Sequence, residues 1–207
     1  MSSQVHPRLP SGDRELVQIV DAALADVAQR SGEWLVCRPG CTQCCIGPFP
    51  ISQLDVARLQ AGLAELERAD LERAARIRIR ARQAFERMRA SFPGDPRTGI
   101  LAEDDAAQAA FDNFADDEPC PALDPATGTC DVYAYRPMTC REFGPPVRVE
   151  ESDKAFSVCE LCFQGATPAE VAACEMVSDP DALESRLIAE LEKQGHCGQT
   201  IVAFGLL

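Results

Sequence analysis

Residues 37–50 read Cys37-Arg-Pro-Gly-Cys41-Thr-Gln-Cys44-Cys45-Ile-Gly-Pro-Phe-Pro. Glycine and proline punctuate this run too often for a helix or a strand, so it is a loop whose backbone can wrap around a centre. The spacing of its sulfurs suggests what that centre is. Cys41-x2-Cys44 has the separation at which two Sγ atoms converge on one ion, about 2.3 Å from each when the metal is zinc. Cys37-x3-Cys41 lies within the tolerated range. The adjacent pair Cys44 and Cys45 tends to diverge, and both serve only if the loop bends or the centre holds more than one metal atom. The fold expected around this loop is mostly α: irregular cysteine-rich loops packed on several helices around a metal centre, with little or no sheet.

Helical signals stand on both sides. Upstream, Leu16, Ile19, Val20, Ala23, Leu24 and Val27 repeat at helical spacing over 13–30, with Asp13 as the cap and Gly32 as the stop. Downstream, Ser52 and Asp55 form a capping-box pattern with Asp in place of the usual Glu or Gln. Leu54, Ala57, Leu59 and Leu63 give that helix an apolar side. A long helix is expected over about 69–91 on the stripe Ile77, Ala81, Ala84, Phe85 and Met88. Phe92-Pro93-Gly94-Asp95-Pro96 breaks it. The acidic stretch 101–118 reads as only partly helical.

A second cysteine segment follows, with Cys120, Cys130 and Cys140. Asp124-Pro125-Ala126-Thr127-Gly128 is turn chemistry that folds the chain back and brings Cys120 near Cys130. Asp131 is expected to cap a short helical turn that stops by Arg136, because Pro137 drives its predecessor out of the α region. Cys159-Glu-Leu-Cys162 comes next. Two helices then open at Thr167-Pro168-Ala169-Glu170, a capping box with Pro in the first turn, and at Asp179-Pro180. Periodicity leaves the apolar end 200–207 as either a buried tail or an edge strand.

The totals bound the setting. The chain has 207 residues, and its apolar runs are too short for a membrane-spanning helix. Its first residues show no secretory signal, so a cytoplasmic location is expected. The eleven cysteines are an odd number. Reducing conditions favour metal binding or redox chemistry for them over the alternative of disulfides. The net charge of -13 repels nucleic acid and anionic membrane. Only the arginines between Arg68 and Arg89 oppose that field. They read as a solvated helix face docked on the acidic residues Glu103–Glu118 rather than as a nucleic-acid site. One domain is expected over 13–207 after a flexible tail 1–12, with its core motifs in 37–143 and a helical elaboration in 160–207.

Cys41-Thr-Gln-Cys44-Cys45, Cys120-Pro-Ala-Leu-Asp, Gly-Thr-Cys130-Asp-Val-Tyr and Arg136-Pro-Met-Thr-Cys140-Arg-Glu-Phe together resemble the YkgJ-type cysteine-cluster family, described by a CxxCxxCC motif and regarded as zinc- or iron-chelating. The resemblance implies Cys41, Cys44, Cys45, Cys120, Cys130 and Cys140 as metal ligands, with Cys37 as a provisional seventh. The departure is at the front, where three residues rather than two separate Cys37 from Cys41. The family also includes a longer flagellin lysine-N-methylase. The resemblance therefore implies, as an alternative, an enzyme that works at the centre and binds S-adenosylmethionine, although no glycine-rich nucleotide signature accompanies the motifs.

Thiolate ligation suits zinc, an iron–sulfur cluster or Cu(I) alike. Four thiolates around one Zn²⁺ leave a charge of about -2, which Arg38, Arg136 and Arg141 could offset or, equally, ignore in favour of surface pairs. Cys159 and Cys162 either complete the site or form another. Cys174 shares helical spacing with Val171 and Val177 and reads as a buried apolar side chain. Cys197 with His196 is either a ligand pair or an incidental thiol. With His6 and His196 as the only histidines, sulfur must dominate any centre, and no Ser/His/Asp arrangement is expected.

Overall fold

A computed structural model of the chain describes residues 6–38, 40–148 and 156–207. Helix α1 spans Asp13–Ser31, α2 spans Gln53–Ala69 and α3 spans Leu71–Met88. A two-stranded hairpin of β1 (Gly94–Asp95) and β2 (Ile100–Leu101) precedes α4 (Asp105–Phe111). A second hairpin pairs β3 (Leu123–Asp124) with β4 (Thr129–Cys130), and α5 (Met138–Glu142) follows. Strands β5 (Val147–Arg148) and β6 (Phe156–Ser157) pair antiparallel, and α6 (Pro168–Ala173), α7 (Leu183–Lys193) and α8 (Val202–Gly205) complete the described elements. The chain is mostly α with little sheet, as expected. Among the described residues no helix is long and apolar enough to cross a membrane.

These elements gather into two compact units. The first draws on residues 6–10, Gly40–Pro137 and Ile188–Leu207; the second on the described parts of Ser11–Pro39 and Met138–Leu187. In the first unit α2, α3 and α8 pack on one another. Ile51, Leu59 and Leu63 from α2 and its approach meet Ile77 and Ala81 of α3 and Val202 and Leu206 of the C-terminal segment. Beside them Phe204 stacks 4.5 Å from Phe92 and meets the edge of Phe85 at 5.1 Å. Burying such aromatics supplies much of a small core's stability.

The expected long helix starts at Leu71 rather than near 69. Asp70 leaves the helical region (φ -153°) and ends α2, and its carboxylate then accepts from the Arg73 N–H at 2.9 Å to open α3. Of the two alternatives for the apolar end, the buried tail is the one that forms, and it is helical. Thr200 pairs with Ile51 in a single antiparallel bridge, and the chain then turns into α8 with Val202–Gly205 buried.

In the second unit Leu16, Val20 and Val27 of α1 are buried, and α1 packs against α5. Its N-cap is Gly12, without a side-chain bond. Asp13, expected as the cap, stands instead in the first turn, where a carboxylate still complements the helix dipole. The Thr167–Glu170 capping box forms as read. Helix α7 begins later than Pro180, because the Asp179 carboxylate accepts from the Leu183 and Glu184 N–H groups at 2.9 and 2.8 Å.

Candidate metal centre

Backbone pairing joins the two cysteine segments of the first unit. The Cys120 N–H donates to the Cys45 carbonyl at 2.7 Å, the Gly47 N–H donates to the Glu118 carbonyl at 3.0 Å, and Ile46 bridges Pro119. Gly47 permits this approach: its φ is +80°, and a Cβ there would lie 3.2 Å from the Asp116 carbonyl oxygen. Just ahead, a short 3-10 turn over Gln43–Cys45, closed by Cys45 N–H to the Thr42 carbonyl at 2.8 Å, bends the loop at the adjacent cysteines.

The β3–β4 hairpin is set by its turn. Asp124 accepts from the Ala126 N–H and the Thr127 hydroxyl, each at 3.0 Å, and Gly128 takes φ +68°. As expected, the turn returns Cys130 to the neighbourhood of Cys120, and both side chains pack on the core beside Ala122 and Val132. Helix α3 clamps this hairpin. Arg80 donates to the Pro121 carbonyl at 2.8 Å, and Arg80 and Arg73 both pair with Asp131. Asp131 therefore does not cap the 3-10 turn Tyr133–Tyr135, which has no side-chain cap. Two guanidinium groups claim its carboxylate instead. Of the acidic stretch read as the docking face, Glu118 receives Arg87 at 2.9 Å.

The thiols Cys44, Cys45, Cys120 and Cys130 share one electrostatic neighbourhood. A hydrogen bond to Cys45, then burial and the neighbouring Cys45 charge, push the Cys44 thiol well above its ordinary value. Burial pushes Cys120 up to about 12 and also raises Cys130. Opposing this, the nearby backbone N–H groups of Ala122 and Leu123 lower the Cys120 thiol, and that of Val132 lowers the Cys130 thiol, while the Leu123 N–H donates to the Cys120 carbonyl at 2.9 Å. Arg136 lowers Cys44 and Cys130, held 4.0 Å over the Tyr133 ring and bonded to the Tyr133 carbonyl at 3.0 Å. Cys41 lies in the same loop, half-buried, next to Thr42, whose Cγ2 stands 3.8 Å from where a Gly128 Cβ would be.

Cys37 and Cys140 belong to the second unit. There Cys162 and Cys159, both buried, are hydrogen-bonded thiol to thiol, closing a turn in which the Cys162 N–H meets the Cys159 carbonyl at 2.8 Å. Burial raises the Cys162 thiol, while the N–H groups of Val36 and Cys37 donate to its sulfur. The Phe163 N–H donates to the Trp34 carbonyl at 2.9 Å, so the segments before Cys37 and after Cys162 are laced together. The x2 spacing of Cys159 and Cys162 is the sequence signal for this pair. Of the remaining arginines, Arg141 is buried and pairs with Asp21 at 2.6 Å, and Arg38 is exposed. Cys174 is buried as expected, and Cys197 is exposed.

All eleven cysteines carry free thiols. As a donor set, clustered sulfurs supplied with backbone N–H donors and a nearby guanidinium suit a thiophilic ion. As placed, among the described residues no three Cys, His, Asp or Glu side chains converge closely enough to hold one. A thiophilic metal binds cysteine as the thiolate, so binding releases the thiol protons. The family described as "CxxCxxCC: Putative zinc- or iron-chelating domain" matches residues 36–160. No curated protein and no solved structure matches the chain.

Proposed function

Because this chain belongs to the CxxCxxCC family, a family of metal-chelating cysteine clusters, we propose that it binds zinc or iron through the thiolates of Cys41, Cys44, Cys45, Cys120 and Cys130 in its first unit. The observation that carries the reading is the Cys120 N–H bond to the Cys45 carbonyl at 2.7 Å, which seats one cysteine segment against the other. Cys37 and Cys140, implied as ligands by the motifs, lie in the second unit, and the proposal stands without them.

Zinc bound here would act as a structural staple or a Lewis acid, and an iron–sulfur cluster would supply electron transfer. The chain's own part is to hold the sulfurs and temper their charge. The backbone N–H groups of Ala122, Leu123 and Val132 lie beside Cys120 and Cys130 and lower their thiols, and Arg136 brings a positive charge to Cys44 and Cys130. A positive group and backbone donors beside sulfur favour the anionic form that ligation requires.

The test is metal and acid-labile sulfide content, with a visible spectrum, on protein purified without oxygen and without a metal-binding tag. Stoichiometric zinc in colourless protein supports a structural site; iron with sulfide and a brown absorbance supports a cluster. The C120S/C130S double variant should lose the metal, whereas C174S should keep it. Wild-type protein free of both metals, or C120S/C130S with a full complement, overturns the reading.

A further inference from the structure

Cys159 and Cys162 of the second unit stand outside the ligand set proposed above. The Cys162 N–H donates to the Cys159 carbonyl at 2.8 Å, so Cys159-Glu-Leu-Cys162 is a closed four-residue turn, and its two thiols are hydrogen-bonded to each other. A turn closed in this way holds its first and last Cα atoms within about 7 Å, the span that a disulfide bridges. The two sulfurs can therefore join without moving the backbone. The turn is also fixed from outside. Phe163, next in the chain, holds φ +55°, a left-handed conformation that is costly for a bulky side chain. Two bonds keep it there: its N–H donates to the Trp34 carbonyl at 2.9 Å, and its carbonyl accepts from the Ala166 N–H at 3.1 Å. Cys159 and Cys162 are 7% and 4% exposed, while Glu160 and Leu161 at the tip of the turn face solvent.

We infer that Cys159 and Cys162 are a reversible dithiol–disulfide couple, a redox site built from residues outside the proposed ligand set and oxidised by a low-molecular-weight disulfide such as glutathione disulfide. Cys159, the more open of the two, gives up its proton and attacks one sulfur of the small disulfide, forming a mixed disulfide and releasing one thiolate. Cys162 then gives up its proton, attacks the Cys159 sulfur and releases the second thiolate. The chain loses two protons and two electrons, and the small disulfide, taking both, becomes two thiols. The preset turn makes the second attack intramolecular, which favours closure over a second mixed disulfide. The backbone N–H groups of Val36 and Cys37 beside the Cys162 sulfur support its anionic form, both as it attacks and as it leaves on reduction.

The chain carries its own control. Trypsin releases residues 155–186 as one peptide holding Cys159, Cys162 and Cys174, and Cys174, 6% exposed, is as enclosed as the pair but lies outside the turn. Full-length, tag-free protein is equilibrated without oxygen in mixtures of glutathione and glutathione disulfide, quenched in acid, alkylated, digested and weighed. The peptide should become lighter by H₂, with alkylation left only on Cys174 and no fragmentation between residues 159 and 162. This should occur at a glutathione disulfide concentration at least about tenfold below that which places glutathione on Cys174. C162S should instead hold glutathione on Cys159, and C159S/C162S should keep the metal content of the wild type. The inference is overturned if both thiols of the pair stay alkylatable throughout, if Cys174 reacts as readily, or if C162S takes up no glutathione at Cys159. Loss of metal from C159S/C162S overturns it too, because the pair is then a ligand. Wild-type protein that closes the disulfide but holds no metal supports this inference while overturning the proposed function.

Discussion

A methyl group on Gly62 would sit 2.6 Å from both Cβ and Cγ of Tyr135. These atoms lie near the backbone, so no flexible tip can swing aside. G62A should therefore destabilise the protein by about 2–3 kcal/mol, read as a lower urea midpoint, and it should loosen the Tyr135 hydroxyl from Glu65, now 2.6 Å away. Asp131 is the second residue whose role is spatial. Its side chain is 1% exposed between Arg73 and Arg80, which are 36% and 21% exposed. D131N removes the anion but leaves the arginines partly in water, so its cost is screened to about 2 kcal/mol, again measurable in urea. Neither role was legible in the sequence. The expectation for Asp131 was a local cap, because Asp before a short turn is cap chemistry, whereas its actual partners come from a helix far back along the chain.

At the level of elements, reading succeeded where the deciding chemistry is local. The Ser52–Asp55 box closes in both directions, with the Asp55 N–H to the Ser52 hydroxyl and the Ser52 N–H to the Asp55 carboxylate each at 3.1 Å. S52A should cost about 1 kcal/mol in thermal or urea unfolding. The Thr167–Glu170 box gives a pH signature. The Thr167 N–H and then its hydroxyl hold the Glu170 carboxyl below its ordinary 4.5. A lowered folded value contributes stability above the unfolded value that fades as pH falls through the folded one. E170Q should therefore melt below wild type at pH 6, and the gap should close on acidification below 4.5. Elements that tertiary burial dictates were harder to see. Helix α8 spans only Val202–Gly205, less than any intrinsic helix needs, and it forms because Ile51, Leu59 and Val56 cover it.

For the whole molecule, the sulfur spacings suggest which cysteines act together, yet do not encode how the chain divides them. Cys41, Cys44, Cys45, Cys120 and Cys130 fall in one unit, and Cys37, Cys140, Cys159 and Cys162 in the other. That division follows from long-range packing, which spacing does not encode. It also makes the first unit depend on its last segment. Val202, Ala203, Phe204 and Leu206 are all buried in its core, so deleting 202–207 should remove several kcal/mol, a large part of a stability of about 5–15 kcal/mol. The expected result is loss of the cooperative helical transition in a circular-dichroism melt. The interleaved order has a consequence during synthesis. The nascent chain releases the β3–β4 hairpin roughly seventy residues before α8, which at about 5–20 residues per second is several seconds on the ribosome. Throughout that interval Cys120 and Cys130 lack part of the core they pack on, so a metal delivered early would meet them while they are open.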